Sequence, residues 1–402
     1  MFYLPIYFPS VTFGVYPAEI FPWAFLLALL IVRKFSAIDI FLLAGIVISS
    51  IYGAFTGAET FEVFRGLGSY LNFFAAYLIA KQVPSSYFKR ILSMNKIIFY
   101  VFIIVGFLQY SGFIPFLDSI IKFFIPRGSA VLLLDLGGRG ASLLSSEPAR
   151  AGVELIFIYL LFRITVPPEK KWLFDIFVLI FLLIIVKSVM ALMLYIVFLA
   201  LTYINASLFI IFISALVPFA GFITQSEEVG RINTFLVEIF DSQINDVFFI
   251  IMNSSGHRVL SIWTSFYHGI VYPFGGGVGA WKQTSLNAIE LVGYDVSSLR
   301  FFHVWGDGNA ISIRSSGVGS SMMLDLGIVY FSIFLSSLHM AVKEIFKLRF
   351  RDAFPLYAVF FVKILFIGSV GATVEIFCFI ILVRIIADMS NISKTNINIE
   401  KA

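Results

Sequence analysis

The side chains that could do chemistry fall in separate polar stretches. The first is Gly137-Gly138-Arg139-Gly140-Ala141-Ser142, followed by Ser146-Glu147-Pro148-Ala149-Arg150. A residue before proline is biased to an extended backbone. Proline at the first helical position costs nothing for its missing N–H. Glu147 therefore reads as standing at the N-terminal mouth of a helix, where backbone donors favour an anion. Alone, Glu-Pro is a helix-start carboxylate; Arg139 and Arg150 beside it turn the reading towards a site. The second stretch is His257-Arg258 with Trp263, Tyr267 and His268, then Tyr272-Pro273-Phe274-Gly275-Gly276-Gly277-Val278-Gly279. Arg258 opens an amphipathic helix that ends at the proline. The glycines can bring backbone N–H groups close to a ligand, although a glycine-rich turn by itself is more often just a turn. It is no dinucleotide fingerprint, since no strand precedes it and the spacing differs. The third stretch is Phe302-His303-Val304-Trp305-Gly306-Asp307-Gly308-Asn309, followed by Arg314. His303 is either a loop histidine without a task or a proton acceptor. The four histidines show no metal-ligand spacing. A lone cysteine, Cys378, leaves no intramolecular disulfide and no basis for a cysteine metal site.

The elements that must position these residues are membrane helices. Of 402 residues 60% are hydrophobic and only 13% charged, with a mean hydropathy of +0.97. A soluble protein of this size would need more charge on its surface. Crossing a bilayer takes roughly 20 mostly apolar residues. The expectation is an all-α polytopic membrane protein with about eleven spans, near 20–32, 38–55, 64–80, 97–110, 152–163, 172–186, 188–204, 208–223, 318–342, 354–368 and 370–387. Pro5 and Pro9 break the segment before them. The first apolar stretch lacks a basic leader and a clear cleavage site, so no cleavable signal peptide is expected. Organisation follows as N-terminal helices to 111, a first polar loop 112–151, central helices 152–223, a large polar loop 224–317, C-terminal helices 318–390 and a polar tail 391–402, expected to be disordered. Loops as long as 224–317 are usually functional.

Loop charge sets orientation. The turns at 33–34, 81–96, 163–171 and 343–351 and the C-terminal tail hold more than half of the 28 Lys and Arg. With eleven spans they share one side, which the positive-inside tendency makes cytoplasmic. Both polar loops then meet on the outer face. The net charge of +4 records topology rather than nucleic-acid binding. Arg65, Glu154, Lys187, Asp325, Lys363 and Glu375 interrupt apolar runs, and a central charge costs about 2.5–3.5 kcal/mol on insertion scales. Lys363 and Glu375, on consecutive spans, are expected to pair. Lys187 either snorkels or faces a bound anion.

Arg139 to Pro148, Arg258 to Gly279 and Met323-Leu324-Asp325-Leu326-Gly327-Ile328-Val329 come in an order that resembles the bacterial O-antigen polymerase and ligase family, the Wzy-like membrane glycosyltransferases. Ile185-Val186-Lys187-Ser188 looks like the family's Ser-centred junction between spans, and the Pro-Phe-Gly-Gly-Gly-Val-Gly run like its glycine turn. Ligase members carry a His-Asn pair about eleven residues before the glycine matching Gly327; here that place holds Ser316. The departure favours polymerase over ligase, and no catalytic His is carried over. The resemblance implies a bacterial inner-membrane enzyme joining undecaprenyl-diphosphate-linked oligosaccharides at the periplasmic face, without metal or cofactor, and a chain-length-regulating partner. Its leaving group, a lipid diphosphate, needs positive charge, which Arg supplies through permanent, bidentate contacts. The candidate catalytic residues are Arg139, Arg258 and Glu147, with His303 as second choice for a base. Arg314, Arg150, Arg231 and Lys187 are candidates to bind the substrate's charge, Trp263 and Tyr267 to stack on sugars, and Gly277 and Gly279 to approach the ligand. A transporter or flippase for an anionic lipid-linked glycan is the alternative of another class.

Overall fold

The computed structural model describes residues 4–13, 16–17, 20–32, 34–111, 121, 123–125, 140–203, 257–343, 350–368, 370–371 and 373–400. After a one-turn helix Leu4–Tyr7 and a two-residue antiparallel pairing of Thr12–Phe13 with Tyr16–Pro17 come the helices. They are α1 (Trp23–Ile31), α2 (Ala37–Phe55), α3 (Thr60–Gln82), α4 (Phe88–Ser111) and α5 (Pro148–Arg163). Then follow α6 (Lys171–Phe181), which runs into a π turn Leu182–Val186, and α7 (Val189–Tyr203). The polar stretch contributes α8 (Arg258–Val271), α9 (Trp281–Val292) and α10 (Arg300–Gly306). Last are α11 (Val318–Val342), α12 (Phe350–Phe366) and α13 (Val374–Glu400).

Apolar side chains face outward as well as inward, and this defines the solvent. On α2, Ile40, Ile48, Ile51 and Phe55 are exposed, Phe55 at 86%; α4 exposes Ile97, Ile104 and Phe107 in the same way. In water these would be large apolar patches; in hydrocarbon they are at home. Among the described residues four helical stretches are long and apolar enough to cross a membrane: α2, α3, Ser85–Ser111 and α11, with shorter apolar helices at Met190–Tyr203 and Ala353–Phe366. The chain is a multi-pass membrane protein. The expected span 208–223 lies outside the described residues.

α3, α5 and α13 form the centre. Residues 72–80, 151–162 and 373–383 are buried without a break, and α13 packs against both others. Such all-round burial needs all-round apolarity, so each polar group inside must find a partner. Asn95 donates to Ile158 O at 2.9 Å and accepts from Tyr7 at 3.2 Å. Lys363 and Glu375 pair as expected, at 3.3 Å with both side chains buried.

Elsewhere the fold departs from expectation. The segment 257–317 holds the expected helix from Arg258 to just before Pro273, and adds two helices that were not expected, Trp281–Val292 and Arg300–Gly306. α13 continues to Glu400 through the stretch expected to be disordered; no Gly or Pro follows Gly371 to stop it. α11 has the expected bounds but is broken at Gly327, whose φ 74 and ψ 177 leave the helix. The glycine turn fills the break. Gly276 N–H donates to Leu324 O at 2.9 Å, Gly277 N–H to Asp325 O at 3.0 Å, and Val329 N–H to Pro273 O at 3.2 Å. Val278 N–H reaches across to Ser49 O on α2 at 3.1 Å. Backbone groups freed by a broken membrane helix must be satisfied within the protein, and here a turn fifty residues upstream does so.

Candidate functional site: an arginine-lined cavity

Residues of the two polar loops, 112–151 and 224–317, border one cavity of about 390 Å³. Ser146, Glu147 and Arg150 border it from the first, and His257, Arg258 and Arg314 from the second. α3 adds Glu62, Arg65 and Tyr70, and α11 adds Asp325.

Each side chain is placed by a local cause. Glu147 is the residue before α5, with an extended backbone (φ −158, ψ 154) and Pro148 opening the helix, as the Glu-Pro pair dictates. It is exposed. Arg150, one turn on, donates to Glu154 at 2.8 Å; Ser145 bonds the other oxygen of that buried carboxylate. Arg258 opens α8, after His257 as its N-cap. Ser261 and Ser265 on the same face meet Ser316 and Ser315, each pair at 3.2 Å, and so fasten α8 to the non-helical segment that carries Arg314.

Arg314 is held at Glu62, 2.5 Å away, and lies 4.9 Å over the Trp281 ring. Trp281 Nε1 donates to the same Glu62 oxygen at 3.0 Å, and Arg65 stands 3.8 Å from the other oxygen. These pairs are partly exposed and contribute little, about 0–1 kcal/mol each, so a stronger anion can draw the guanidinium groups away. Tyr70 donates to Asp325 Oδ2 at 2.9 Å, while Asp325 Oδ1 is buried with no partner among the described residues. Two solvent-reaching ionic groups of the wall, Arg258 and Glu147, have neither ion pair nor hydrogen bond from their side chains among the described residues. Burial, and then the neighbouring Arg258 charge, holds the His257 imidazole below its usual range. Both effects favour its neutral, proton-accepting form. Among the described residues no group of three or more His, Cys, Asp or Glu could hold a metal ion.

The cavity gathers some expected residues and leaves others out. Glu147, Arg150, Arg258, Arg314 and Gly279 border it. Arg139 and Arg231 lie outside the described residues. His303 is exposed on α10 and away from the cavity. Trp263 and Tyr267 are on the right helix but the wrong face: five residues past Arg258 is about 140° around a helix, and both point outward, 41% and 43% exposed. Lys187 caps the π turn in a left-handed conformation, 5.9 Å over the Tyr110 ring, and does not border the cavity. Gly277 is also away from it, its N–H spent on Asp325 O. Sequence reasoning placed His257 in the chemistry-bearing stretch without giving it a role, missed Glu62 and Tyr70 as wall residues, and treated Arg65 and Asp325 chiefly as costly charges. Those membrane charges were the available signal, because such residues usually mark a functional path. No family model, curated protein or solved structure matches the chain.

Proposed function

We propose that the protein is a glycosyltransferase that polymerises oligosaccharide units carried on undecaprenyl diphosphate, at the outer face of a bacterial inner membrane. The observation that carries this reading is the pair Arg258 and Glu147, which border one cavity from two distant stretches and have no ionic partners among the described residues. One is a ready cation for a diphosphate, the other a ready carboxylate for a hydroxyl. The reducing-end sugar of the growing chain is the donor. A hydroxyl of the incoming unit attacks its anomeric carbon, the carbon–oxygen bond to the diphosphate breaks, and the lipid diphosphate leaves with the bonding pair. Arg258 and Arg314, with Arg150 and Arg65 behind them, stabilise that charge. Preorganised donors at a developing charge are commonly the largest catalytic contribution. Glu147 takes the hydroxyl proton, a role generally contributing about 10²–10⁴-fold; His257 replaces His303 as second choice.

The eleven-span topology is part of this proposal. Helix ends support it. Lys81, from a turn assigned inside, meets Asp39 at 3.1 Å at one end of α3, while Glu62 borders the cavity at the other. α5 likewise runs from Glu147 to Arg163, which pairs with Asp175 at 2.9 Å. A chain-length regulator is a further expected partner.

The test is incubation of the purified protein with a defined undecaprenyl-diphosphate-linked repeat in chelator, read as a gel ladder. A ladder of multiples supports polymerisation. Transfer of a finished glycan to a different acceptor, with no ladder, points to the ligase. The broken helix α11 with its docked turn favours a second reading, because transporters build midplane sites from broken helices. Movement of intact lipid-linked glycan across vesicles, without bond formation, would establish that reading instead.

A further inference from the structure

A second cavity of about 420 Å³ adjoins the first, and Glu62 and Gly279 border both. Its size falls within the ~300–1,000 Å³ of small-molecule sites. Its chemistry is different. Tyr52, His268, Tyr272, Gln283, Asn287 and Ser312 line it, supplying neutral donors, acceptors and ring faces. The cation on its wall, Lys282, is paired with Glu59 at 2.6 Å, and Glu62 adds a second carboxylate, so the wall carries no excess of positive charge. His268 is the informative group. Its side chain is buried, at 3% exposure, and its Nδ1 has no hydrogen-bond partner among the described residues. A buried polar atom left unbonded is costly. A ligand hydroxyl would satisfy it in either tautomer, since a hydroxyl both donates and accepts. On α9, Gln283 and Asn287 stand one turn apart and bond each other at 3.1 Å, presenting their remaining amide groups to the solvent side. The rings of Tyr52 and Tyr272 are about half exposed, at 52% and 47%, and open for stacking.

We infer that this second cavity is a subsite for a neutral, hydroxyl-rich sugar, the acceptor unit whose attacking hydroxyl enters the arginine-lined cavity past Glu62 and Gly279. The inference rests on the proposed transferase reading for the word acceptor, but the sugar site itself can be tested separately. Two probes are used on the purified full chain in detergent and chelator: inorganic pyrophosphate for the first cavity, and a panel of neutral methyl glycosides for the second, both by titration calorimetry. The expected result is glycoside binding that weakens tenfold or more in His268→Phe and persists in Arg258→Ala, with the reverse pattern for pyrophosphate. Gln283→Met and Asn287→Leu change exposed side chains on α9, cannot compromise the buried fold, and should weaken glycosides by threefold or more. Glycoside binding indifferent to all three cavity variants would overturn the inference. So would absence of glycoside binding in a protein that binds pyrophosphate, which leaves the arginine cavity standing. Glycosides bound as expected with no pyrophosphate binding would sink the diphosphate reading and keep the sugar site.

Discussion

Replacing Gly327 by Ala probes the joint on which the cavity's geometry depends. At φ 74 and ψ 177 the backbone is in a region that is essentially glycine-only, and a side chain there costs about 1–3 kcal/mol. The new Cβ would lie 2.2 Å from Pro273 O, 2.4 Å from Pro273 C and 2.5 Å from Gly275 N. These are backbone atoms, so the turn must move away. Undocking removes the bonds from Gly276 to Leu324, Gly277 to Asp325 and Val329 to Pro273, at about 0.5–1.5 kcal/mol each. The summed loss is about 3–7 kcal/mol on these values, a large part of the ~5–15 kcal/mol typical of folded domains. The assay is thermal unfolding in detergent by tryptophan fluorescence. Gly293→Ala is the internal control: Gly293 is also left-handed, at φ +65, but its added Cβ meets nothing within 4 Å, and the expected cost is only about 1–2 kcal/mol. Equal unfolding temperatures for the two variants would refute the idea that the turn holds the broken helix.

Further perturbations probe other parts of the account. Lys363→Met or Glu375→Gln alone should cost about 3–5 kcal/mol by leaving one buried charge unpaired, while the double variant recovers most of the unfolding temperature; a double variant as unstable as the singles would contradict the pairing. Burial pushes His268 down to about 4 from an ordinary 6.5. The unfolded chain then takes up a proton that the folded one refuses, so stability is full above pH 6.5 and falls as pH drops towards 4, by up to about 3 kcal/mol. His268→Phe should flatten that part of the stability–pH curve, and an unchanged slope would argue against a neutral buried imidazole. For sidedness, with Cys378 replaced by Ser, a cysteine at exposed Asn287 should react with an impermeant maleimide in spheroplasts. One at exposed Ser86 should react only after permeabilisation; the opposite pattern would invert the topology.

Membrane class and most helix bounds were legible because apolar length is a local property. α2 and α11 begin and end within a residue of where hydropathy places them. The backbone at Glu147 was legible for the same reason: proline constrains its neighbour wherever the chain goes. The break at Gly327 was not. Glycine is common in membrane helices, and what makes this one leave the helix is a turn distant in sequence. Wall residues on α3 were hidden likewise, since nothing near Glu62 or Arg65 tells which polar loop will cover them. Trp263 and Tyr267 illustrate a signal present but unread: helical periodicity from Arg258 already turns them away from its face. The helical tail shows composition misleading where the absence of breakers was the better guide.

The central claim is that fixed guanidinium charge, without metal, holds a lipid diphosphate in the outer cavity. Its most direct test is the affinity of the purified protein for undecaprenyl diphosphate in chelator, measured for wild type, Arg258→Ala and Arg258→Lys. The account predicts metal-free binding by wild type, a loss of about tenfold or more on Arg258→Ala, in line with ~1.5–3 kcal/mol for a hydrogen bond to a charged group, and a substantial loss on Arg258→Lys, because a point charge lacks the fork. Equal affinity in all three proteins, or wild-type binding that appears only when magnesium is restored, would contradict it.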